Sequence, residues 1–78
     1  MGLANQLHKL QRLDGLIRRK QTGSPQQLAN RLGISVRSVF RLLSEMKDLG
    51  LPVAYSSVDQ TYYYTKEVRV DIKVLIDE

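Results

Sequence analysis

The sequence contains no cysteine, only one histidine, and no apolar run long enough to cross a membrane. Without cysteine, disulfides and thiolate metal sites are excluded, and a reducing cytoplasm is the expected location. A membrane span needs about 20 mostly apolar residues, and the N-terminus lacks the basic and apolar stretches of a signal peptide. We therefore expect a cytoplasmic protein that does not interact with membranes.

Catalytic chemistry has few candidate residues. The single histidine, His8, lies beside an apolar helical stripe, and the chain has neither clustered carboxylates nor a glycine-rich phosphate loop. A nucleophile with its base, or a metal site, cannot be assembled from neighbouring positions. We expect no enzymatic activity, no bound metal and no cofactor.

Acidic residues are scarce in the first part of the chain. Residues 1–47 contain nine Lys and Arg against two acids, a net charge of +7, whereas residues 48–78 contain three against six, a net charge of −3. Such a concentration of positive charge is what a polyanion-binding surface requires, although a solvated helical surface can have the same composition.

Apolar residues at spacings of three and four predict three helices, over about residues 4–21, 25–32 and 36–49. Ser24 is the expected N-cap of the second helix, and Gln27 can complete a capping box with it. Gly33 supplies the left-handed backbone that ends this helix, and Ser35 caps the next one.

The third helix has an apolar and a polar face. Val36, Val39 and Phe40 are expected to face inward, whereas Arg37 and Arg41 lie on the opposite face.

After Pro52 the pattern changes to a period of two. The segments VAYSS and TYYYT flank a polar turn at residues 58–60 and predict a β-hairpin. The final segment EVRVDIKVLI alternates apolar and charged residues and predicts a further strand. The expected fold class is α+β, with three helices, a hairpin and a C-terminal strand. One domain spans residues 1–78, with its core at about 4–65 and the additional strand at 66–78.

The charges of the final strand complement their own reverse. If two copies paired antiparallel about Val70, Glu67 would face Lys73 and Arg69 would face Asp71. Such a strand is suited to the two-fold interface of a homodimer. The alternative is that the alternating charges only keep a third β-strand soluble.

The turn between the second and third helices is short and has the residues of a turn that fixes the angle between two helices. A three-residue turn with Gly33 at its start and small Ala29 at the helix crossing holds two helices at a steep angle, so the first turn of the third helix protrudes. Arginine can bond a guanine edge or a phosphate, and serine adapts to either, so this turn suits the major groove of DNA. The residues expected to contact DNA there are Ser35, Arg37, Ser38 and Arg41.

The start of the second helix is a second candidate contact. Its exposed amides and positive dipole end suit a phosphate. The residues around it are Lys20, Thr22, Ser24, Gln26 and Gln27.

The segment PQQLANRLGISVRSVFRLLSEMKDLGLPVAY, followed by TYYYT, resembles the winged helix-turn-helix of many bacterial transcription regulators of the DeoR-like, biotin-repressor-like and WYL kinds (helix-turn-helix type 11). SVRSVFR matches the opening of the family's recognition helix, and LGLPVAY matches the entry to its wing. The resemblance covers about residues 7–65. It implies a winged helix that reads double-stranded DNA with the helix at about 36–49. Seven residues fall at the apolar, small and glycine positions of the general pattern: Leu28, Ala29, Leu32, Gly33, Ile34, Val39 and Leu42.

The sequence departs from this pattern at the wing tip, because residues 56–60 contain one acid and no Lys or Arg. Regulators of these kinds also carry a sensing or catalytic domain after the wing, and within these 78 residues we expect no small-molecule site. Two functions follow. The first is a sequence-specific double-stranded-DNA-binding transcription regulator. The alternative is a winged-helix protein-interaction module that docks through its acidic β half or last strand. Single-stranded or RNA binding through the tyrosines is a third, less favoured interpretation.

Overall fold

The computed structural model describes residues 3–69 and residue 72, with side chains from Leu7 onward. Three helices precede an antiparallel two-stranded hairpin, which is the α+β arrangement predicted from the sequence and is consistent with a winged-helix layout. The elements are α1 (Leu3–Arg18), α2 (Pro25–Leu32), α3 (Val36–Asp48), β1 (Val53–Ser56) and β2 (Thr61–Tyr64).

All three helices end in the same hydrogen-bond pattern, in which a residue with left-handed backbone follows the last turn. That residue is Lys20 (φ 55°) after α1, Gly33 (φ 69°) after α2 and Gly50 (φ 92°) after α3. In each case the next backbone amide donates to a carbonyl oxygen five residues earlier, at 2.9 to 3.0 Å. A glycine signals such a stop in the sequence, but a lysine does not. The prediction for α1 therefore ran three residues past Arg18.

The core lies between the three helices and the inner face of the hairpin. The strands pair with Val53 opposite Tyr64 and Ser56 opposite Thr61, so that Val53 and Tyr62 cover the helices from one side. Most of the other buried apolar residues come from the helices. From α1 and α3 these are Leu10, Leu13, Leu16, Ile17, Val39, Leu42, Leu43 and Met46.

The inward orientation predicted for Phe40 is wrong. Val39 is fully buried and Val36 packs partly buried against the core, as predicted, but 52% of Phe40 is exposed. Successive residues of a helix are turned by about 100°, so Phe40 points well away from the buried direction that Val39 and Met46 share. The sequence predicts an apolar stripe that includes Phe40, but the side of α3 that is buried carries Val39, Leu42, Leu43 and Met46.

The predicted C-terminal strand is also corrected. Within residues 3–69 and 72, no strand follows β2: Glu67, Val68 and Arg69 are irregular, and Ile72 is buried with helical backbone. The carbonyl oxygen of Val68 accepts a hydrogen bond from Arg18 Nη1 at 2.5 Å, so it is bound to α1 rather than to a neighbouring strand. The rest of the predicted strand lies outside the described residues. The strand on which the homodimer prediction rests is thus not seen at residues 67–69, and the homodimer itself stays a prediction.

No helix in the described part of the chain is long and apolar enough to cross a membrane.

Candidate nucleic-acid interface

The start of α2 is held by a complete capping box. Ser24 Oγ accepts a hydrogen bond from the amide of Gln27 at 3.2 Å, and Gln27 Oε1 accepts one from the amide of Ser24 at 2.8 Å. Pro25 follows the cap, where its fixed φ suits the first helical position. The Gln27 side-chain NH₂ stays available to a ligand, because the oxygen alone closes the box. Gln26 is exposed one residue earlier, and its Nε2 donates to Asn30 Oδ1 at 3.3 Å.

A three-residue turn places the start of α3 at the surface. Gly33 ends α2, and Ser35 caps α3 with extended backbone. Ser35 Oγ accepts a hydrogen bond from the amide of Ser38 and donates its own proton to Ser38 Oγ, both at 3.1 Å. The hydroxyl proton of Ser35 is thus used within the turn, whereas the hydroxyl proton of Ser38 remains free to donate outward.

The surface of α3 presents two arginines side by side along the helix. Arg37 and Arg41 are exposed and four residues apart, which puts them on one face, and Phe40 and Ser44 lie beside them. Neither arginine forms an ion pair with any of residues 3–69 or 72. Two guanidinium groups without an ion-pair partner among the described residues form a surface that can bind acceptors on another molecule.

The same part of the molecule lacks acids. Residues 15–44 contain six Lys and Arg and no Asp or Glu, and all six basic residues are exposed. One of them, Arg18, is bound to Asp14 at 3.0 Å. Along α2 and the first half of α3 no carboxylate interrupts the positive charge, and the next acid along α3 is Glu45, one turn after Arg41. The other five basic residues are Arg19, Lys20, Arg31, Arg37 and Arg41.

Thr22 does not belong to the phosphate-binding group predicted for it. Its side chain is fully buried, where Oγ1 accepts a hydrogen bond from the amide of Tyr62 at 2.8 Å and donates to the carbonyl oxygen of Gly23 at 2.9 Å. Its amide donates to Thr61 Oγ1 at 3.2 Å. Thr22 therefore anchors β2 to the loop between α1 and α2, and the prediction of a phosphate contact by this side chain is wrong.

The β1–β2 hairpin, residues 53–64, is called the wing. Lys20 is exposed and lines a surface hollow beside it together with Asp59, Thr61 and Tyr63. It therefore lies at the wing side of the domain. The remaining predicted residues fall into two groups: those of the α2 cap (Ser24, Gln26 and Gln27) and those of the first turns of α3 (Ser35, Arg37, Ser38 and Arg41).

The wing tip is a tight turn without basic side chains. The amide of Asp59 donates to Ser56 Oγ at 3.2 Å, and Gln60 adopts left-handed backbone at φ 51°. Val58 at its apex is 91% exposed. Behind the tip, the rings of Tyr55 and Tyr62 are cross-strand neighbours with centroids 4.7 Å apart. Tyr55 and Tyr62 therefore pack against each other across the hairpin.

A separate polar cluster, formed by Asp14, Arg18 and Tyr64, joins α1 to β2. Tyr64 Oη donates to Asp14 Oδ1 at 2.5 Å, and the guanidinium of Arg18 lies 5.7 Å from the centre of the Tyr64 ring. Burial raises the pKa of the Tyr64 hydroxyl well above its usual range, and the hydrogen bond to Asp14 and its charge raise it further, while Arg18 opposes the shift. Burial also raises the pKa of Tyr62. Both pKa shifts concern tyrosines that pack β2 against the rest of the fold, and neither lies at the predicted DNA-binding residues.

Sequence reasoning missed Phe40 as a member of the exposed α3 face. The signal was present in the spacing, because positions 37, 40, 41 and 44 share one side of a helix while positions 39, 42, 43 and 46 share the other. Among the described residues, no group of three or more His, Asp or Glu side chains is placed to hold a metal ion.

Comparisons with protein-family models, with curated proteins and with solved structures find no match to this chain.

Proposed function

We propose that the protein binds double-stranded DNA sequence-specifically, with α3 in the major groove, and that it acts as a transcription regulator in a bacterial cytoplasm. The observation that carries this proposal is the pair of exposed arginines, Arg37 and Arg41. They have no ion-pair partner among the described residues, and they lie on a helix whose first turns are free of acids. Such a surface attracts a polyanion and can bond base edges. No catalytic step and no cofactor enter the proposal.

Each part of the surface has a distinct role in this proposal. Arg37 and Arg41 bond base edges, and Ser38 assists because its hydroxyl proton is free. Ser35 orients Ser38 and brings its backbone close to a phosphate. The start of α2 binds a phosphate through its positive dipole end and the amide of Gln26, because the capping box uses the amides of Ser24 and Gln27 and Pro25 has none. Its contributing side chains are Ser24, Gln26, Gln27 and, on the wing side, Lys20.

The test is selection of bound sequences from a random duplex library. The wild-type chain should enrich a defined sequence, and its affinity for that sequence should fall steeply as salt rises. Replacing both Arg37 and Arg41 by alanine should weaken binding by about 2 kcal/mol or more, roughly thirtyfold. Arg37→Ala alone should relax specificity at one base pair.

A matched control separates base contacts from general charge. The Lys66→Ala, Arg69→Ala double variant also removes two positive charges, but from the exposed segment after the wing rather than from α3. It should lower affinity for all duplexes slightly and leave the preferred sequence unchanged. If the two double variants bound the selected duplex equally well, the proposed role of α3 would be wrong.

The wing supports a second candidate function, a protein-interaction module that does not bind DNA. Its tip has no basic residue and carries Asp59, so it does not attract phosphates as a DNA-binding wing would. Retention on heparin at about 0.15 M salt discriminates the two functions, because only the DNA-binding protein should be retained.

The assembly state follows from the selection experiment. A palindromic sequence would indicate a homodimer, since a two-fold protein reads two inverted half-sites. Sedimentation equilibrium at high micromolar concentration then tests the homodimer directly.

A further inference from the structure

Phe40 is a large apolar side chain in an otherwise polar surface. It is 52% exposed, and the other large hydrophobic side chains that are exposed among the described residues, Tyr55 and Val58, are on the wing. A single exposed apolar residue is common in proteins and by itself has no functional meaning. The position of Phe40 is what makes it informative, since it lies one turn from Arg37 on the exposed face of α3 that also carries Arg41 and Ser44.

The charges around Phe40 restrict what can cover it. Residues 15–44 carry no acid, so a partner that contacts this face must bring negative charge to the arginines and an apolar group to the phenyl ring. Duplex DNA provides both the negative charge, on its phosphates, and an apolar group in the neighbouring major groove. In the major groove, the apolar group on the base edges is the C5-methyl of thymine, and side chains such as Phe contact it.

We propose that Phe40 is a specificity-determining residue that packs against the C5-methyl group of a thymine in the bound duplex. This inference rests on the proposed function, because it requires α3 to lie in the major groove. Phe40 is displaced from Arg37 by three residues, about 4.5 Å along the helix axis. Neighbouring base pairs are about 3.4 Å apart. The thymine therefore lies within one or two base pairs of the base that Arg37 bonds.

The experiment removes the methyl group without changing base pairing. In the duplex selected with the wild-type chain, each thymine is replaced singly by deoxyuridine, and the dissociation constant is measured for each duplex. At one thymine the loss of the methyl should weaken wild-type binding about fourfold, the effect of removing one buried methyl-sized group from contact. All other replacements should leave binding unchanged.

Variants then assign that methyl to Phe40. Phe40→Ala should weaken binding to the thymine duplex and bind the thymine and deoxyuridine duplexes equally. Phe40→Leu, which keeps an apolar side chain, should retain a preference for thymine. Tyr55→Ala removes an exposed aromatic ring from the wing and should discriminate thymine from deoxyuridine as the wild type does. Because Phe40 is outside the core, thermal unfolding of Phe40→Ala should match that of the wild type.

The outcomes separate this inference from the proposed function. Sequence-specific binding by the wild type without sensitivity to any deoxyuridine replacement would overturn the role of Phe40 and leave the proposed function intact. The same holds if Phe40→Ala still discriminates thymine from deoxyuridine. If the wild-type chain enriches no duplex sequence, the proposed function is wrong and the inference falls with it.

Discussion

The hydroxyl of Thr22 accepts a hydrogen bond from the backbone amide of Tyr62 at 2.8 Å, which joins the loop after α1 to a strand 40 residues further along the chain. Both groups are buried, so neither can bond water instead. This bond fixes the hairpin against the helices and thereby sets where the wing lies relative to the exposed face of α3.

Removing this bond should destabilise the fold. Thr22→Val keeps the shape of the side chain but leaves the Tyr62 amide buried without an acceptor, which costs about 1–3 kcal/mol. Urea unfolding followed by circular dichroism measures the change. Thr22→Ser retains the hydroxyl and should cost less than Thr22→Val. The reverse order would show that the methyl group, rather than the hydrogen bond, holds the hairpin.

The bond from Tyr64 to Asp14 should make the protein less stable in alkali. Because the pKa of Tyr64 is raised in the folded state, folding favours its protonated form. The resulting stabilisation is fully present below the unfolded pKa of about 10 and is lost as pH rises above it. The free energy of unfolding of the wild type should therefore fall above about pH 10.

Tyr64→Phe tests the origin of this dependence. The variant should lose about 1–3 kcal/mol at neutral pH, because Asp14 loses a hydrogen-bond donor, and its stability should fall less steeply in alkali. Part of the slope remains, since burial also raises the pKa of Tyr62. Tyr63→Phe is the matched control, because the Tyr63 hydroxyl bonds no described residue. Equal alkaline slopes for wild type and Tyr64→Phe would contradict the prediction.

The left-handed backbone at Gly33 should make this position sensitive to a side chain. A Cβ there would meet no atom within 4 Å, so the cost of Gly33→Ala comes from the backbone alone, about 1–2 kcal/mol. Gly33→Asn should cost less, because asparagine tolerates this conformation. Chemical unfolding of the three proteins gives the order directly. Equal stability of Gly33→Ala and the wild type would mean that the turn relaxes to another conformation.

If the proposed function holds, a basic residue at the wing tip should reveal whether the wing approaches DNA. Val58→Lys introduces a charge at a position that is 91% exposed, so the fold should be unaffected. A wing near the phosphates should gain one contact, which steepens the slope of log affinity against log salt by about 0.9. Val58→Ala controls for loss of the apolar side chain. An unchanged slope would place the wing away from the backbone.

Local chemistry was sufficient to predict the parts of the fold whose hydrogen bonds close within a few residues. The limits of α2 are as predicted, because a serine cap, a proline and a capping glutamine start it and Gly33 stops it. The hairpin was also predicted, since β-branched and aromatic residues flank a short polar turn. The end of α1 was missed, because the left-handed residue there is a lysine, which carries no stop signal.

The assignment of surface and core residues needed contacts between distant parts of the chain. A polar Thr22 was placed at the surface by its residue type, yet β2 offers it partners 39 and 40 residues away, which makes burial favourable. The apolar spacing also predicts Phe40 on the inner face, but the core lies on the side of α3 that carries Val39 and Met46. The three-helix order, the caps and the exposed arginines thus follow from short-range pattern. The anchoring of the wing and the binding of Val68 to α1 depend on which surfaces pack together, and no local pattern encodes that.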